Sequence, residues 1–221
     1  MSVVFGTVVN GPLEENCYIA GNPDNRHTVI IDPGYEPDRI ISEVRALSLT
    51  VDAVLLTHCH FDHVGAVPQV AGEFDVKVYG PSGEEDLLLA ADDMAAFFGM
   101  PLEMRPYVDC WFKPLDILDF KAGRFEVRDV HGHSPAGSAF VTGDICFSGD
   151  ALFAGSVGRT DLPGADHGVL IDCIQRNLLT LARATRVFPG HGPSTSIGEE
   201  IDRNPFLTPY RCAVRTVPEF S

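Results

Sequence analysis

Residues 57–63 concentrate side chains that bind metal ions. They read Thr-His-Cys-His-Phe-Asp-His and directly follow the apolar run 51–56. Imidazole nitrogens and carboxylate oxygens are typical ligands of zinc and similar divalent cations. Alternate side chains of an extended segment share a face, so we expect His58 and His60 on one side. Asp62 and His63 follow where the chain must turn, and we expect their side chains to point to a second position next to the first. The segment therefore predicts two adjacent metal positions.

Three further segments carry metal-binding side chains, and each follows an apolar, strand-like run. They are His131-Gly132-His133-Ser134-Pro135, Ser148-Gly149-Asp150 and Pro189-Gly190-His191-Gly192. Gly and Pro beside a polar residue are typical of loops that present a side chain at the edge of a sheet. A carboxylate between two cations keeps them at the ~3.5–4 Å spacing of two-metal hydrolases. Asp150 is the best candidate for this bridging carboxylate.

Alternating strand and helix patterns surround these segments. Strands are predicted at 3–9, 17–20, 28–31, 51–56, 76–79, 116–118, 124–130, 138–142, 145–148 and 187–188. Helices are predicted at 37–47, 64–74, 83–99 and about 168–184, with Asp166 as the N-cap of the last, and 101–113 as a loop. Two strand-rich halves with covering helices predict two packed sheets between outer helices. With no repeat or linker, residues 1–221 are expected to form a single domain with a short tail from about residue 204.

Composition and charge narrow the range of partners. The chain has 221 residues, of which 45% are hydrophobic, but no apolar stretch approaches the ~20 residues that cross a bilayer. Six cysteines without a Cys-x-x-Cys pair indicate reduced thiols, and the N-terminus lacks the basic residues of an export signal. The net charge of −15 disfavours nucleic acid. We therefore expect a cytoplasmic protein with neither nucleic-acid nor membrane partners.

These segments, in this order, resemble the metallo-β-lactamase fold superfamily. Within it they look most like the hydroxyacylglutathione hydrolase (glyoxalase II)-like branch, especially its short bacterial members. The resemblance covers nearly the whole chain and includes 31–34 (Ile-Asp-Pro-Gly), 158–164 (Gly-Arg-Thr-Asp-Leu-Pro-Gly) and 204–207 (Asn-Pro-Phe-Leu). It implies an α/β fold, a four-layer αββα sandwich with two mixed sheets flanked by helices.

The resemblance also implies seven metal ligands, three for each of two cations and one that both share. In this sequence they are His58, His60 and His133 for the first cation, Asp62, His63 and His191 for the second, and Asp150 for both. Asp62 and Asp150 are further implied to take part in catalysis. The cofactor would be two divalent metal ions, with zinc as the first expectation and iron or manganese as alternatives.

Neighbouring polar residues have other interpretations. The family usually has Pro-Gly-His-Thr-Pro-Gly around the third ligand, so His131 is the alternative ligand of its segment or a group beside the ligands. Cys59 should point away from the flanking histidines, into the core. Asp32 either orients a ligand or forms a turn. Arg159 and Asp161 are expected to form a buried salt bridge that braces their loop.

The expected chemistry is hydrolysis of a thioester. Two zinc-type cations lower the pKa of a bridging water to about 7, and the resulting hydroxide attacks a carbonyl carbon. No separate general acid is evident beside the ligands, and a thiol with a pKa near ~8.5 leaves as a thiolate without one. The resemblance favours 2-hydroxyacyl thioesters such as S-lactoylglutathione, a small-molecule partner. Longer glyoxalase II enzymes hold glutathione with a basic C-terminal region, and we expect this chain to be too short to carry one. The remaining candidates to bind an anionic group of the substrate are Tyr210, Arg211 and Arg215.

Other functions stay open at this point. A persulfide dioxygenase of the same branch would bind one iron at the first position, and a non-catalytic metal-binding module would need no turnover at all. A β-lactamase is disfavoured because no residue is identifiable as the clamp for the antibiotic's carboxylate. A homo-oligomer is a further open alternative.

Overall fold

A computed structural model describes residues 3–207 of the chain. Its strands are β1 (Val3–Asn10), β2 (Glu15–Asn22), β3 (His27–Ile31), β4 (Thr50–Leu55), β5 (Val78–Pro81), β6 (Cys110–Phe112), β7 (Ile117–Phe120), β8 (Gly123–Asp129), β9 (Ser138–Thr142), β10 (Ile145–Gly149), β11 (Leu152–Phe153), β12 (Ser156–Val157), β13 (Arg186–Pro189) and β14 (Thr195–Ser196). Its helices are α1 (Pro37–Ala46), α2 (Phe61–Val64), α3 (Val67–Phe74), α4 (Glu85–Leu89), α5 (Ala91–Phe97), α6 (His167–Asn177) and α7 (Ile197–Arg203), followed by a 3-10 turn at Pro205–Leu207.

Two six-stranded sheets dominate the fold. The first has the order β1-β2-β3-β4-β5-β6 and the second the order β14-β13-β10-β9-β8-β7, while β11 and β12 form a separate hairpin. Both sheets are mixed. In the first, β3, β4, β5 and β6 run parallel to one another, and in the second β10 and β13 form a parallel pair.

Strand alternation sends successive side chains into different apolar layers. In β2, Ile19 faces the helices together with Ile40 of α1, whereas Tyr18 faces the second sheet and packs with Phe147. A third layer joins the outer face of the second sheet to α6 through residues such as Ile174. Three apolar layers separate four layers of secondary structure, so the predicted αββα sandwich with two mixed sheets and flanking helices is confirmed.

The parallel strands bring the metal-binding segments to one place. Leu55 of β4 lies opposite Ile31 of β3 and Tyr79 of β5, so the residues that follow these strands emerge at a common edge. In the second sheet, Phe147 lies opposite Phe188 in a parallel ladder. The loops after β10 and β13 therefore also leave from one edge.

Several elements differ from the sequence predictions. The predicted helix 83–99 is two helices, α4 and α5, that meet at Ala90. The predicted loop 101–113 contains β6, a three-residue strand that pairs with β5. Helix α6 ends at Asn177 rather than near 184, and the chain turns there so that both Leu178 and Leu179 are buried. The sequence does not predict α2, α7, β14 or the β11–β12 hairpin, because runs of two to seven residues carry too little periodicity.

The helices within residues 3–207 are all too short or too polar to cross a membrane.

Candidate metal centre

The structure brings the seven predicted ligand residues together. The ligand atoms of His58, His60 and His133 all lie within 4.8 Å of one another, and those of Asp62, His63 and His191 meet the same limit. These two groups are called the first and second triads below. All of the triad residues except His191 are buried.

Asp150 lies between the two triads. Its Oδ1 is 3.4 Å from His63 Nε2 of the second triad, and its Oδ2 is 3.5 Å from His133 Nε2 of the first. The same Oδ2 is 3.6 Å from His191 Nε2, which in turn lies 3.2 Å from Asp62 Oδ2. The two oxygens of this carboxylate therefore lie close to histidines of both triads.

Backbone carbonyls fix the orientation of two imidazoles. His133 Nδ1 lies 2.8 Å from the carbonyl oxygen of Arg159, and His191 Nδ1 lies 3.0 Å from that of Leu13. Because a carbonyl oxygen can only accept, each Nδ1 carries the hydrogen. In the neutral form of each imidazole the lone pair of Nε2 then faces the centre, and this is the form that binds a metal ion.

Asp32 orients ligands in both triads. Its Oδ2 lies 3.1 Å from His63 Nδ1 and accepts a hydrogen bond from Thr57 Oγ1 at 2.6 Å. Thr57 Oγ1 is in turn 3.0 Å from His58 Nδ1. Asp32 also has a left-handed backbone conformation, with φ of 51°. Both interpretations of the Asp-Pro-Gly segment therefore hold, because the residue forms the turn and positions the imidazoles.

Unpartnered buried atoms indicate that the centre fits divalent cations. His58 Nε2, His63 Nε2 and Asp150 Oδ1 are buried without a hydrogen-bond partner. Leaving such an atom unsatisfied costs about 1–3 kcal/mol, and these three converge on one region. Imidazole nitrogens with carboxylate oxygens form the donor set of zinc, iron and similar ions. The residues present therefore suit a metal cofactor.

Electrostatics favour the metal-binding protonation state at His58, His60 and Asp150, whereas at His63 and His191 burial is outweighed by the nearby aspartates, which raise the pKa. Burial, together with the neighbouring His133, lowers the pKa of His60 to about 4. Burial and the adjacent imidazoles also hold the pKa of His58 well below its usual value. Burial alone would raise the pKa of Asp150, but the attraction of His63 outweighs it and keeps that pKa well below the usual range. At neutral pH His58 and His60 are therefore neutral and Asp150 is ionised.

Two buried glutamates near the centre escaped sequence analysis. Glu84 is fully buried and accepts hydrogen bonds from the backbone N–H groups of Cys59 and Ala136. Glu15 is also fully buried, and its Oε1 lies 3.9 Å from His63 Nδ1. A glutamate is usually solvated, so nothing in their local sequence distinguishes them from surface residues.

Other sequence predictions have mixed outcomes. Cys59 is buried in the apolar layer under the helices, as predicted. Arg159 and Asp161 do form a two-point ion pair, at 2.7 and 2.8 Å, but the prediction that it is buried is wrong. Their side chains are 57% and 68% exposed, because their loop lies at the surface beside the centre.

His131, the alternative ligand of its segment, contacts Asp129 and lies outside both triads. Tyr210, Arg211 and Arg215 fall outside the described residues.

An apolar groove of about 450 Å³ opens onto the centre. Its walls include Leu13, Phe61, Met94, Phe98, Phe153, Val157 and Leu162. Among the groove-lining residues that the structure describes, Arg159 is the one cationic side chain, and it is paired with Asp161.

The segment 204–207 supports one wall of this groove. Asn204 is fully buried and donates a hydrogen bond to the carbonyl oxygen of Ser156 at 3.0 Å. Glu200 accepts from Asn204 at 2.7 Å and from Gly155 N–H at 2.9 Å. These bonds tie the β11–β12 hairpin, which carries Phe153 and Val157, to α7.

Comparisons with known proteins agree on the family. The sequence profile of the metallo-beta-lactamase superfamily matches residues 10–191, a range that contains all seven predicted ligands. Hydroxyacylglutathione hydrolase GloC of Haemophilus influenzae is 38% identical over 199 residues, which are 88% of this chain and 93% of that protein.

Two solved structures are similar throughout. The BLEG-1 B3 metallo-beta-lactamase superposes with a TM-score of 0.86 at 37% identity and covers 94% of this chain and 100% of its own. TTHA1623 in a di-iron-bound form superposes with a TM-score of 0.84 at 41% identity and covers 91% of this chain and 100% of its own. The chain, with its His/Asp metal-binding cluster, belongs to the metallo-beta-lactamase superfamily.

Proposed function

We propose that the protein hydrolyses a thioester, specifically a 2-hydroxyacyl thioester such as S-lactoylglutathione or a related ester of a small thiol. The observation that carries this proposal is a two-triad centre at the floor of a groove in which the described residues offer no free proton donor. Apart from the centre itself, the polar side chains that line the groove are Ser156 and Arg159. The Ser156 hydroxyl donates to the Val157 carbonyl oxygen, and Arg159 is paired with Asp161.

The absence of a positioned acid within this lining favours a good leaving group. An amine leaving group must be protonated as it departs, whereas a thiol has a pKa near ~8.5 and departs as a thiolate. The same lining disfavours a β-lactam substrate, because a cationic side chain is the best partner for its carboxylate and Arg159 is already paired with Asp161. A relative named hydroxyacylglutathione hydrolase, at 38% identity, supports the thioester class.

The residues of the chain would hold two divalent cations, zinc first and iron or manganese as alternatives. The first triad would hold one cation, the second triad the other, and Asp150 both. Cations in such a centre supply Lewis acidity that makes a coordinated water acidic at neutral pH and polarises a substrate carbonyl.

The two catalytic carboxylates would orient the attacking water, and the groove walls would shield the acyl group of the substrate. Asp62 and Asp150 stay ionised, because nearby histidines lower their pKa values against the effect of burial. Their oxygens can therefore accept hydrogen bonds from a water and fix its orientation toward the groove. The apolar wall that includes Phe61 and Phe98 would exclude bulk water from the acyl group.

An iron-dependent oxygenation is the second candidate function. TTHA1623 has been solved with two irons, which makes iron loading of this centre a specific alternative to zinc. A persulfide dioxygenase would contain one iron per chain and consume oxygen. A non-catalytic module would bind metal without either reaction.

One set of measurements separates these functions. The as-purified protein is analysed for metals and assayed against acyl thioesters of glutathione and of a neutral thiol, with oxygen uptake on glutathione persulfide in parallel. We expect thioester turnover without oxygen uptake, and loss of at least 100-fold in kcat for the folded Asp150→Asn variant. No turnover of any thioester by metal-loaded protein would refute the proposal, and iron-dependent oxygen uptake would establish the alternative.

A further inference from the structure

A second cluster of metal-binding side chains lies outside the two triads. Asp129 is the last residue of β8, His131 lies in the following loop, and Cys173 projects from α6. One ligand atom from each lies within 4.8 Å of the other two. His131 Nδ1 is 2.6 Å from Asp129 Oδ1 and 3.4 Å from Cys173 Sγ. Neither Asp129 nor Cys173 stood out in the sequence.

A single hydrogen cannot satisfy this arrangement. His131 Nδ1 carries at most one hydrogen, which the shorter distance directs to Asp129. The Cys173 sulfur then faces that nitrogen with no hydrogen between them, although the residue is only 8% exposed. A cation where the three atoms converge would be contacted by a sulfur, a nitrogen and an oxygen at once.

The distances are close to those of a tetrahedral zinc site. With Zn–S near 2.3 Å and Zn–N near 2.0–2.1 Å, sulfur and nitrogen ligands stand about 3.6 Å apart, against 3.4 Å here. The carboxylate oxygen must move from 2.6 Å to about 3.4 Å from the nitrogen. The Asp129 side chain is 34% exposed and can rotate by this amount, at the expense of the 3.2 Å hydrogen bond that its Oδ1 accepts from the His131 backbone N–H. Asn177 holds the backbone of Asp129 in place through a 2.8 Å hydrogen bond to its carbonyl oxygen.

We infer that Asp129, His131 and Cys173 form an accessory site for a thiophilic divalent cation such as Zn²⁺ or Co²⁺. A thiolate, an imidazole and a carboxylate select such ions over Mg²⁺ and Ca²⁺, which prefer oxygen ligands. On binding, the Sγ–H bond of Cys173 breaks, the sulfur keeps the electron pair and donates it to the cation, and the proton passes to solvent. Solvent supplies the fourth ligand on the exposed side of His131.

Cobalt spectroscopy tests this site separately from the main centre. The full-length protein as purified is equilibrated with excess Co²⁺, and the near-ultraviolet thiolate-to-cobalt charge-transfer band is recorded. The candidate ligands of the main centre are histidines and aspartates, so this band reports a cysteine ligand alone. We expect the band in the wild-type protein and in the Asp150→Asn variant, and its loss in Cys173→Ser. Cys146→Ser is the matched control, because Cys146 is a buried free thiol in β10 and should leave the band unchanged.

Two outcomes would overturn the inference. One is the lack of a thiolate band in the wild-type protein at saturating Co²⁺, and the other is a band of full intensity in Cys173→Ser. Should Cys173→Ser fail to fold, His131→Gln gives the same test, since the His131 side chain is 41% exposed and we expect its replacement to leave the fold intact. That variant should bind the cobalt responsible for the band at least tenfold more weakly, and an unchanged titration would contradict the site.

Discussion

Glu84 Oε2 accepts a hydrogen bond from the backbone N–H of Cys59 at 3.0 Å, between two histidines of the first triad. The other oxygen of the same carboxylate accepts from the N–H of Ala136 at 2.6 Å, three residues after His133. One buried side chain thus ties together the two loops that supply the first triad. Burial raises the pKa of Glu84, while both backbone hydrogen bonds lower it.

Replacing Glu84 should weaken the first metal position. In Glu84→Gln one oxygen acceptor becomes an NH₂ group that faces a backbone N–H, so one of the two loops loses its anchor. Outer partners of metal ligands typically contribute 10–100-fold to affinity, and we expect a loss in this range in a chelator competition assay. Glu85→Gln is the control, because Glu85 is the exposed neighbour and should retain wild-type affinity. Equal affinities of the two variants would contradict this role.

The sequence indicated the residues that meet in the two triads, but not the buried side chains that support them. Ligands of one metal site must be of a few residue types, and the Gly or Pro beside His133, Asp150 and His191 indicated a strand end. Glu84 and Glu15 carry no such mark, because their burial results from loops that meet only in the tertiary structure. The exposure of Arg159 and Asp161 has the same origin, since the sequence shows an ion pair but not which side faces solvent.

The layers of the fold were predictable from apolar runs, while short elements were not. Strand β4 has a buried, β-branched pattern that any sheet assignment recovers. Strand β6 forms where residues 110–112 pair with the edge of β5, and α5, which begins after Ala90, packs against α2. Such choices depend on neighbours distant in sequence, so local patterns do not contain them.

Replacing Gly190 with any larger residue should weaken metal binding, because Asp150 and His63 occupy the space next to its Cα. A Cβ at this position would lie 2.2 Å from Asp150 Oδ1 and 2.7 Å from His63 Cε1. Gly190→Ala must therefore displace the bridging carboxylate, and we expect at least tenfold weaker metal binding by chelator competition. Gly72→Ala is the control, because a Cβ there meets nothing within 4 Å and Gly72 lies within α3. That variant should bind metal normally and gain about 0.5–1 kcal/mol of stability in urea unfolding.

The metal-free protein should lose stability in weak acid through His60. Its pKa is about 4 in the folded protein against 6.5 in the unfolded chain, so the unfolded state binds more protons between these values. The contribution of His60 is complete above pH 6.5 and is lost as the pH falls toward 4, by up to about 3 kcal/mol at ~1.4 kcal/mol per pH unit. Urea unfolding at several pH values should show this slope in the wild type and a shallower one in His60→Asn. A variant at the exposed His167, His167→Asn, should keep the wild-type slope, and identical slopes for all three proteins would contradict the assignment.

The apolar wall of the groove should set affinity for the substrate rather than the rate of the chemical step. The Phe98 ring lines the groove, stacks on Phe61 with centroids 5.6 Å apart and is still 46% exposed, so a substrate can bury it further. In Phe98→Ala, the apolar area buried on binding falls by an amount worth about 1 kcal/mol, which corresponds to about a fivefold higher KM for thioesters with an apolar acyl chain. Because this contact is the same in the ground and transition states, kcat should stay within twofold.

The neighbouring Phe97 provides the control, because it is 85% exposed and does not line the groove. Phe97→Ala should therefore leave both KM and kcat unchanged. Steady-state kinetics on acyl thioesters of increasing chain length measure the difference, and a KM that is independent of both chain length and Phe98 would show that substrates bind elsewhere.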